Sequence, residues 1–175
     1  VMKREDLEHI LRAAGAIADS DAFVILGSQS ILGAVPGAPS DLLTSMEADL
    51  YPLDAPEKAD LIDGSIGELS PFHETFGYYA HGIGPETAVL PVKWRDRTVS
   101  LRNDNTGGVV GLCLHPVDLA VSKLLAGRPK DISFVRSLLA HGLLAASDID
   151  ARAGELCESD TEKLRDRMLA VIGAD

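Results

Sequence analysis

The segment 46–51, of sequence MEADLY, alternates apolar residues with acidic ones. This period of two predicts a β-strand, because successive side chains of a strand point to opposite faces of a sheet. Glu47 and Asp49 would then share one face, and the opposite, buried face would consist of Met46, Ala48 and Leu50. Two carboxylates on one face repel each other unless a cation lies between them, and their oxygen atoms suit Mg²⁺ or Mn²⁺. Alternatively, the two carboxylates lie on an ordinary solvent-exposed face. The apolar residues on the opposite face make this interpretation weaker.

A second constraint lies one predicted strand earlier in the chain. The apolar run 23–26 predicts a buried strand, and Gly27-Ser28 ends it and leads into a short helix over 29–35. Backbone N–H groups at the N-terminus of a helix attract anions, and a glycine allows an anion to approach the backbone closely. Most Gly-Ser turns are only turns, but one that is followed by an acidic pair indicates a phosphate site beside a metal site.

The remaining pattern predicts a mixed sheet flanked by helices, in the α/β (α+β) class. A further strand is predicted over 109–114, and a hairpin joins 89–93 to 98–102 across Trp94–Arg97. Helices are predicted over 3–18, 56–69, 70–79, 116–126 and 130–141, with two more within 147–172 whose N-caps are Ser147 and Ser159. We expect a core over 1–110 that contains the sheet, and a helical C-terminal part over 111–175 that packs on it.

The charge distribution is uneven. The chain has a formal net charge of −11, which argues against a protein that is basic all over, as many nucleic-acid binders are. Segment 93–136 nevertheless carries eight basic and four acidic residues. Such an uneven charge distribution would attract a polyanion to one face of the protein, while the rest of the protein would repel it. An ordinary solvated surface explains the same pattern equally well.

Several classes of protein are disfavoured. The chain contains no stretch of about 18 uncharged apolar residues that would predict a membrane span, and its charged N-terminus does not resemble a signal peptide. Cys113 and Cys157 are not in a CxxC motif, so we expect two reduced thiols in a cytoplasmic protein. His73, His81 and His141 are scattered and have no serine or cysteine partner at a recognisable spacing, which disfavours hydrolysis by a catalytic triad.

The motifs together resemble a known family. Gly27-Ser28, followed by Ser45-x-Glu47-x-Asp49, is similar to the signature of the DNA polymerase β-like nucleotidyltransferase superfamily. The resemblance implies that Gly27 and Ser28 hold the triphosphate of an NTP, and that Glu47 and Asp49 bind the metal. Ser45 matches a serine or threonine that commonly precedes the acidic pair, and we count it among the nucleotide-binding residues.

A downstream stretch narrows the resemblance. Asp118 and Lys123, followed by Arg128-x-Lys130-Asp131, look like the D…K…R-x-K-D motif of the AbiEii and MenT toxin nucleotidyltransferases. This resemblance implies that Lys123 contacts the nucleotide phosphates. It also implies that Asp131 is either a base or a group that orients Lys123 or Arg128. Arg128 and Lys130 flank a proline, which stiffens a turn suited to phosphate contact; a solvated loop is the alternative.

The geometry of the predicted helix 116–126 constrains Lys123 further. Five positions along an α-helix rotate the side chain by about 140°, so Lys123 points away from Asp118. Lys123 lies among apolar residues, and such a lysine either extends its tip to solvent or reaches a buried anion. The sequence leaves both outcomes open.

Two departures from the superfamily pattern bear on activity. The first acidic position carries Glu47 where Asp is usual, and the additional methylene alters the metal geometry. The superfamily often has a third carboxylate on a later strand, yet 99–101 contains no acidic residue. The base for the acceptor hydroxyl is therefore unassigned.

The resemblance implies an enzyme that moves NMP from an NTP to an RNA acceptor with Mg²⁺ or Mn²⁺ and releases pyrophosphate. Likeness to the MenT-type toxins implies the 3′ end of tRNA as the acceptor, a role as the toxin of a toxin–antitoxin pair, and a cognate antitoxin as partner. Two alternatives stand beside it: a nucleotidyltransferase that modifies a small molecule or a protein hydroxyl, and a catalytically degenerate regulatory module.

Overall fold

The computed structural model describes residues 1–173. Its β-strands are β1 (Ala22–Ile25), β2 (Glu47–Pro52), β3 (Tyr79–Gly82), β4 (Val99–Leu101) and β5 (Val110–Cys113). Its α-helices are α1 (Arg4–Ala18), α2 (Ile31–Ala34), α3 (Ala59–Ile66), α4 (Pro71–Phe76), α5 (Pro116–Ala126), α6 (Pro129–Ala140), α7 (Ala146–Asp150) and α8 (Glu158–Ile172). Short 3₁₀ turns lie between several of these elements.

The five strands form one mixed sheet in the order β3-β2-β1-β5-β4. β1 pairs antiparallel with β2 and parallel with β5, β2 pairs parallel with β3, and β4 pairs antiparallel with β5. Phe23, Val24 and Ile25 of the central strand β1 are fully buried, as expected of a strand that is covered on both faces. The predicted α/β class, with a mixed sheet flanked by helices, is confirmed.

The predicted hairpin between 89–93 and 98–102 is wrong. Segment 89–93 forms no strand, and β4 pairs with β5 instead. Val92 N donates to the Glu155 carbonyl at 3.2 Å, and Lys93 N donates to Glu155 Oε2 at 3.1 Å. These long-range hydrogen bonds attach the segment to the helical part of the chain, and the segment does not form the predicted strand.

The edge strand β3 is missing from the sequence-based prediction, which has a helix up to residue 79. α4 ends at Phe76, and Gly77 follows in the left-handed conformation with φ +78°. Residues 79–82 then pair with β2. Four residues carry too little pattern to indicate a strand, and it is the neighbouring strand that supplies their hydrogen bonds.

Helix boundaries also differ from the prediction. The predicted helix 56–69 consists of a 3₁₀ turn followed by α3, which ends three residues early. The predicted N-caps Ser147 and Ser159 are wrong, because α7 and α8 begin after Ala145 and Cys157. At α7 the carboxylate of Asp148 accepts the Ala145 N–H at 2.8 Å, so an acidic residue in the first turn caps the helix.

The helices pack around the sheet in two groups. α1 and α3 contact each other and β2, while α2 contacts β4 and β5. α5 is central to the second group, where it contacts α6, α7 and α8, and it also touches α2 and the turn Ser28–Ser30. His115 caps α5 by accepting the Val117 N–H at 3.2 Å. This group is therefore held against the chain segment that follows β1.

The predicted boundary between residues 110 and 111 falls inside β5, which lies within the sheet between β1 and β4. The helical part begins after that strand, at α5. None of the helices within residues 1–173 has the length and apolar character required to cross a membrane.

Asp118 joins the turn before β4 to the helical part. Its fully buried carboxylate accepts two hydrogen bonds from Arg97, at 2.8 and 2.9 Å, and one from Arg152 at 3.0 Å. Arg97 also donates to Glu155 at 2.9 Å, and this hydrogen bonding lowers the pKa of Glu155 to about 2. Lys123 is outside this network, as the helical repeat predicted. Asp118 therefore has a structural role.

We expect Asp118→Ala to lower the free energy of unfolding by about 3 kcal/mol, because removing one partner of a buried ion pair leaves the remaining charges uncompensated. Asp150→Ala is the matched control, since the Asp150 side chain is 66% exposed and pairs with Arg165 at 3.5 Å. Its effect should stay within about 0.5 kcal/mol. Urea unfolding followed by circular dichroism measures both variants, and equally small losses would contradict the structural role.

Candidate active site

One cleft, with a volume of about 830 Å³, lies where β1, β2 and β3 meet α5 and α6. All nine residues that the sequence analysis selected line this cleft: Gly27, Ser28, Ser45, Glu47, Asp49, Lys123, Arg128, Lys130 and Asp131. The acidic pair lies on the side of the sheet, and the basic residues lie on the side of the helices. The structure therefore brings the two halves of the motif together across one cavity.

β2 carries the acidic pair. Glu47 and Asp49 point to the same side of the sheet, with 33% and 24% of their side chains exposed. Ala48 and Leu50 are fully buried, as the alternation predicts. Met46 is 48% exposed, so its predicted place on the buried face is wrong: β2 begins one residue later, and Met46 lies ahead of the strand.

The turn after β1 lies directly against Asp49. Leu26 N donates to the Asp49 carbonyl at 3.0 Å, and a Cβ atom on residue 27 would lie 2.8 Å from the carboxylate carbon of Asp49. Glycine is therefore required at this close approach. Gly27 leads into the 3₁₀ turn Ser28–Ser30, which continues into α2, so the predicted helix is present as two short helical turns. The first N–H groups of such a turn have no acceptor within it.

Ser45 positions the start of β2. Its Oγ accepts the Glu47 N–H at 3.1 Å, and its carbonyl accepts a hydrogen bond from Gln29 Nε2 at 3.1 Å. Gln29 is fully buried, so it ties the turn after β1 to the segment before β2. Because the Ser45 hydroxyl is engaged with the backbone of Glu47, its geometry favours positioning of the acidic pair over direct contact with a nucleotide.

Two further side chains of the site, both on β3, were not predicted from the sequence. Glu47 is the register partner of Tyr79, and Asp49 is the register partner of His81. The Tyr79 hydroxyl donates to Glu47 Oε2 at 3.0 Å, and His81 Nδ1 lies 3.0 Å from Asp49 Oδ1. The only local signal is that Tyr79 and His81 are two positions apart, as the acidic pair is. Their pairing with β2 cannot be derived from the chain alone.

The acidic pair is electrostatically unfavourable by itself. Burial and the nearby charge of Glu47 raise the pKa of Asp49, although the hydrogen bond with His81 opposes that shift. Burial and the hydrogen bond to Glu47 raise the pKa of Tyr79 to about 12, so its hydroxyl stays protonated and remains a donor. A divalent cation between the carboxylates would remove their repulsion.

Three groups are close enough together to bind one metal ion. Glu47, Asp49 and His81 each offer a ligand atom, and these atoms lie within 4.8 Å of one another. Two carboxylates and an imidazole, all partly exposed in the cleft, fit a divalent cation whose other coordination positions are filled by phosphate or water oxygens.

The opposite wall of the cleft is basic. The ammonium group of Lys123, on α5, lies 3.2 Å from Asp131 Oδ1 and 5.5 Å from the centre of the Phe134 ring. Lys123 therefore reaches a buried anion, one of the two outcomes that the sequence left open. Arg128 donates to the same carboxylate, at 2.6 Å from Nε and 3.2 Å from Nη2, and Lys130 is exposed beside it.

Asp131 is fully buried between these cations. Burial raises its pKa, but the hydrogen bond from Arg128 and the charge of Lys123 outweigh burial, so the pKa lies below its ordinary value. A carboxylate that is ionised and doubly paired is a poor base. The geometry therefore favours the orienting role over the role of base.

Arg128 links the two walls of the cleft electrostatically. The hydrogen bond to Asp131 raises the pKa of its guanidinium, and the charges of Asp49 and Glu47 add to that effect. The guanidinium, with 57% of its side chain exposed, is thus within electrostatic reach of the acidic pair. An anion in the cleft would meet a metal site on one side and two oriented cations on the other.

Comparison with protein families gives one match. Residues 5–170 match the family described as nucleotidyltransferase of unknown function (DUF6036). The chain belongs to this family. Neither a curated protein nor a solved structure matches it. The nucleotidyltransferase family assignment agrees with the superfamily that the motifs indicated, and the narrower likeness to the AbiEii and MenT toxins stays a prediction.

We expect Gly27→Ala to weaken Mn²⁺ binding about 10-fold or more, because the added methyl group displaces the Asp49 carboxylate from its place beside the turn. Isothermal titration calorimetry measures the affinity, and circular dichroism checks that the variant folds.

Gly37→Ala is the matched control, because a Cβ atom at Gly37 would have no neighbour within 4 Å. Its Mn²⁺ affinity should equal that of the wild type. Unchanged Mn²⁺ binding by a folded Gly27→Ala variant would show that the close approach is irrelevant to the metal.

Proposed function

We propose that the protein transfers a nucleoside monophosphate from an NTP to an acceptor hydroxyl, with a divalent cation held by Glu47 and Asp49. One observation carries the proposal: the Gly27-Ser28 turn, the acidic pair and the cations of α5 and α6 line one cleft. Membership of a nucleotidyltransferase family agrees with it.

Each wall of the cleft has a separate task in this proposal. Glu47 and Asp49 would hold a divalent cation, which would neutralise charge on the triphosphate and orient it. The Gly27-Ser28 turn leaves room for phosphate oxygens beside the acidic pair, and its N–H groups donate to them. Lys123 and Arg128 approach the triphosphate from the helical side, and Asp131 keeps both side chains oriented before the nucleotide arrives.

The transfer itself is a substitution at phosphorus. The acceptor oxygen forms a bond to the α-phosphorus, and the bond from that phosphorus to the oxygen bridging to the β-phosphate breaks. Pyrophosphate leaves with the electron pair of that bond, and the acceptor proton passes to solvent. Positive charge from Lys123 and Arg128 stabilises the negative charge that develops on the leaving pyrophosphate.

The proposed acceptor is RNA, at the 3′ end of tRNA, and the proposed biological role is that of a toxin with a cognate antitoxin. This part rests on the motif likeness to the AbiEii and MenT toxins and on the basic segment 93–136. The structure reduces the charge available there, because Arg97 pairs with Asp118 and Glu155, and Asp131 holds two further cations. Exposed side chains of the segment include Lys93, Arg95, Arg102, Lys130 and Arg136.

A small-molecule or protein hydroxyl is the second candidate acceptor. The neutralised cations favour it, because less positive surface is left to bind a polyanion. A regulatory module without catalysis is the third candidate, motivated by Glu47 in place of Asp and by 99–101, which offers no acidic residue.

Transfer of label from each α-³²P-labelled NTP in the presence of Mg²⁺ or Mn²⁺ and total tRNA tests the enzyme. We expect wild-type protein to label RNA. Asp49→Ala should lower the rate by about 100-fold or more, since it removes a metal ligand, and Lys123→Ala should do the same, since it removes charge at the phosphates. Asp60→Ala and Lys163→Ala, which change exposed residues outside the cleft, should retain wild-type rates.

The outcomes of this assay separate the candidates. Equal labelling by wild type and Asp49→Ala would defeat the mechanism. Label on the protein or on a small hydroxylated molecule, with none on RNA, would favour the second acceptor class. Absence of pyrophosphate release with every NTP, metal and acceptor would favour the regulatory module.

Salt dependence of RNA binding tests the acceptor independently. Lys130 is exposed at the cleft, where we expect it to contact a phosphate of the RNA. Lys130→Ala should then make the fall of the logarithm of the RNA-binding constant with log[salt] shallower by about 1, because one fewer counterion is released. Filter binding to tRNA at several salt concentrations measures the slope. Lys163→Ala is the control with the wild-type slope, and identical slopes for all three proteins would remove Lys130 from the RNA site.

A further inference from the structure

β3 gives the acidic pair a third group of a different kind. His81 Nδ1 lies 3.0 Å from Asp49 Oδ1 and 3.8 Å from Glu47 Oε1. Adjacent ligands of an octahedral divalent cation are about 3.0 Å apart, because each lies about 2.1 Å from the metal at an angle near 90°. His81 Nδ1 and Asp49 Oδ1 are therefore spaced like adjacent ligands of one cation, and the ligand atoms of all three residues lie within 4.8 Å of one another.

We propose that His81 is the third protein ligand of the metal and that it makes the site select Mn²⁺ over Mg²⁺. The inference rests on the proposed function for what the metal does, but not for whether the metal binds. Segment 99–101 offers no third carboxylate, so the third donor of the cluster is a nitrogen atom.

The choice of metal follows from the donor atoms. Mg²⁺ takes oxygen ligands almost throughout, whereas imidazole nitrogen suits first-row transition metals. Mn²⁺ also accepts carboxylate, water and phosphate oxygens in an octahedral arrangement. An imidazole beside two carboxylates therefore disfavours Mg²⁺ relative to Mn²⁺. The oxygen-rich remainder of the site differs from the tetrahedral nitrogen and sulfur sets of structural zinc sites.

Contacts around the cluster already hold the ligands in place. The Tyr79 hydroxyl donates to Glu47 Oε2, which leaves the other oxygen, Oε1, on the side of His81. Gly27 provides the space that the Asp49 carboxylate occupies. Because His81 and Asp49 are register partners on adjacent strands, the backbone sets the distance between them. Ligands oriented in this way lose little freedom when the metal binds.

The competing role for His81 is that of a hydrogen-bond partner to Asp49, with the proton on Nδ1. The two roles give different predictions, because a ligand must present Nδ1 without a proton to the metal. A hydrogen-bond partner would leave the preference between Mn²⁺ and Mg²⁺ unchanged when it is removed. A ligand would change that preference.

The test measures Mn²⁺ binding to the full chain by electron paramagnetic resonance of free Mn²⁺, with Mg²⁺ as competitor. The wild type should bind Mn²⁺ about 10-fold more tightly than Mg²⁺, and His81→Ala should lose most of that preference through weaker Mn²⁺ binding. His81→Asp supplies a third oxygen donor, so its preference should move towards Mg²⁺. Electron spin echo envelope modulation of bound Mn²⁺ should detect an imidazole nitrogen in the wild type and none in His81→Ala.

His141→Ala is the matched control, because His141 pairs with Asp41 at 3.0 Å and is not part of the metal-binding cluster. It should keep both the Mn²⁺ affinity and the nitrogen coupling, and circular dichroism checks that each variant folds. Bound Mn²⁺ without nitrogen coupling in the wild type, or a folded His81→Ala that keeps the wild-type preference, would overturn the proposal. Failure of the wild type to bind Mn²⁺ would overturn it as well.

Measurements of Mn²⁺ binding and of NMP transfer on the wild-type protein distinguish this inference from the proposed function. Nitrogen-coupled Mn²⁺ with no NMP transfer would refute the function and leave the His81 ligand standing. NMP transfer without a preference for Mn²⁺ would refute the inference and leave the function standing.

Discussion

The antiparallel pairing of β1 with β2 sets the turn after β1 against the carboxylate of Asp49, and the rest of the site is arranged around that contact. The hydrogen bond from Leu26 N to the Asp49 carbonyl fixes the two strands, and the missing side chain at Gly27 leaves room for the carboxylate. Gln29 then connects the same turn to Ser45, which holds the backbone of Glu47. The Gly27-Ser28 turn and the acidic pair are thus connected to each other by hydrogen bonds and by close packing.

Two buried aspartates of the downstream motif serve different purposes. Asp118 binds Arg97 and Arg152 and holds the helical part to the segment before β4, whereas Asp131 binds Lys123 and Arg128 at the cleft. Burial of a carboxylate is costly unless cations and hydrogen bonds compensate it. Both aspartates meet that condition, and only the second brings positive charge to the cleft.

β3 supplies the two polar side chains that lie beside the acidic pair. This strand lies at the edge of the sheet, yet it places Tyr79 beside Glu47 and His81 beside Asp49. Each carboxylate of the pair thereby gains a polar neighbour at the same level of the adjacent strand. The tyrosine restrains one carboxylate, and the histidine adds a nitrogen donor to a cluster that would otherwise offer only oxygen.

The sequence by itself determined the strands β1, β2 and β5 and the helices α1, α5 and α6, because local periodicity and turn chemistry act over a few neighbouring positions. The selection of the nine residues that meet in one cleft came from these patterns together with the resemblance of the motifs to the nucleotidyltransferase superfamily. Tertiary structure decided what depends on distant partners. Segment 89–93 forms hydrogen bonds with Glu155 in place of the predicted hairpin. Residues 79–82 form the strand β3 because they pair with β2. That pairing places His81 beside Asp49, and helix packing places Lys123 beside the buried carboxylate of Asp131. Neither contact follows from the sequence alone, because strand register and helix packing are set by contacts between segments far apart in the chain.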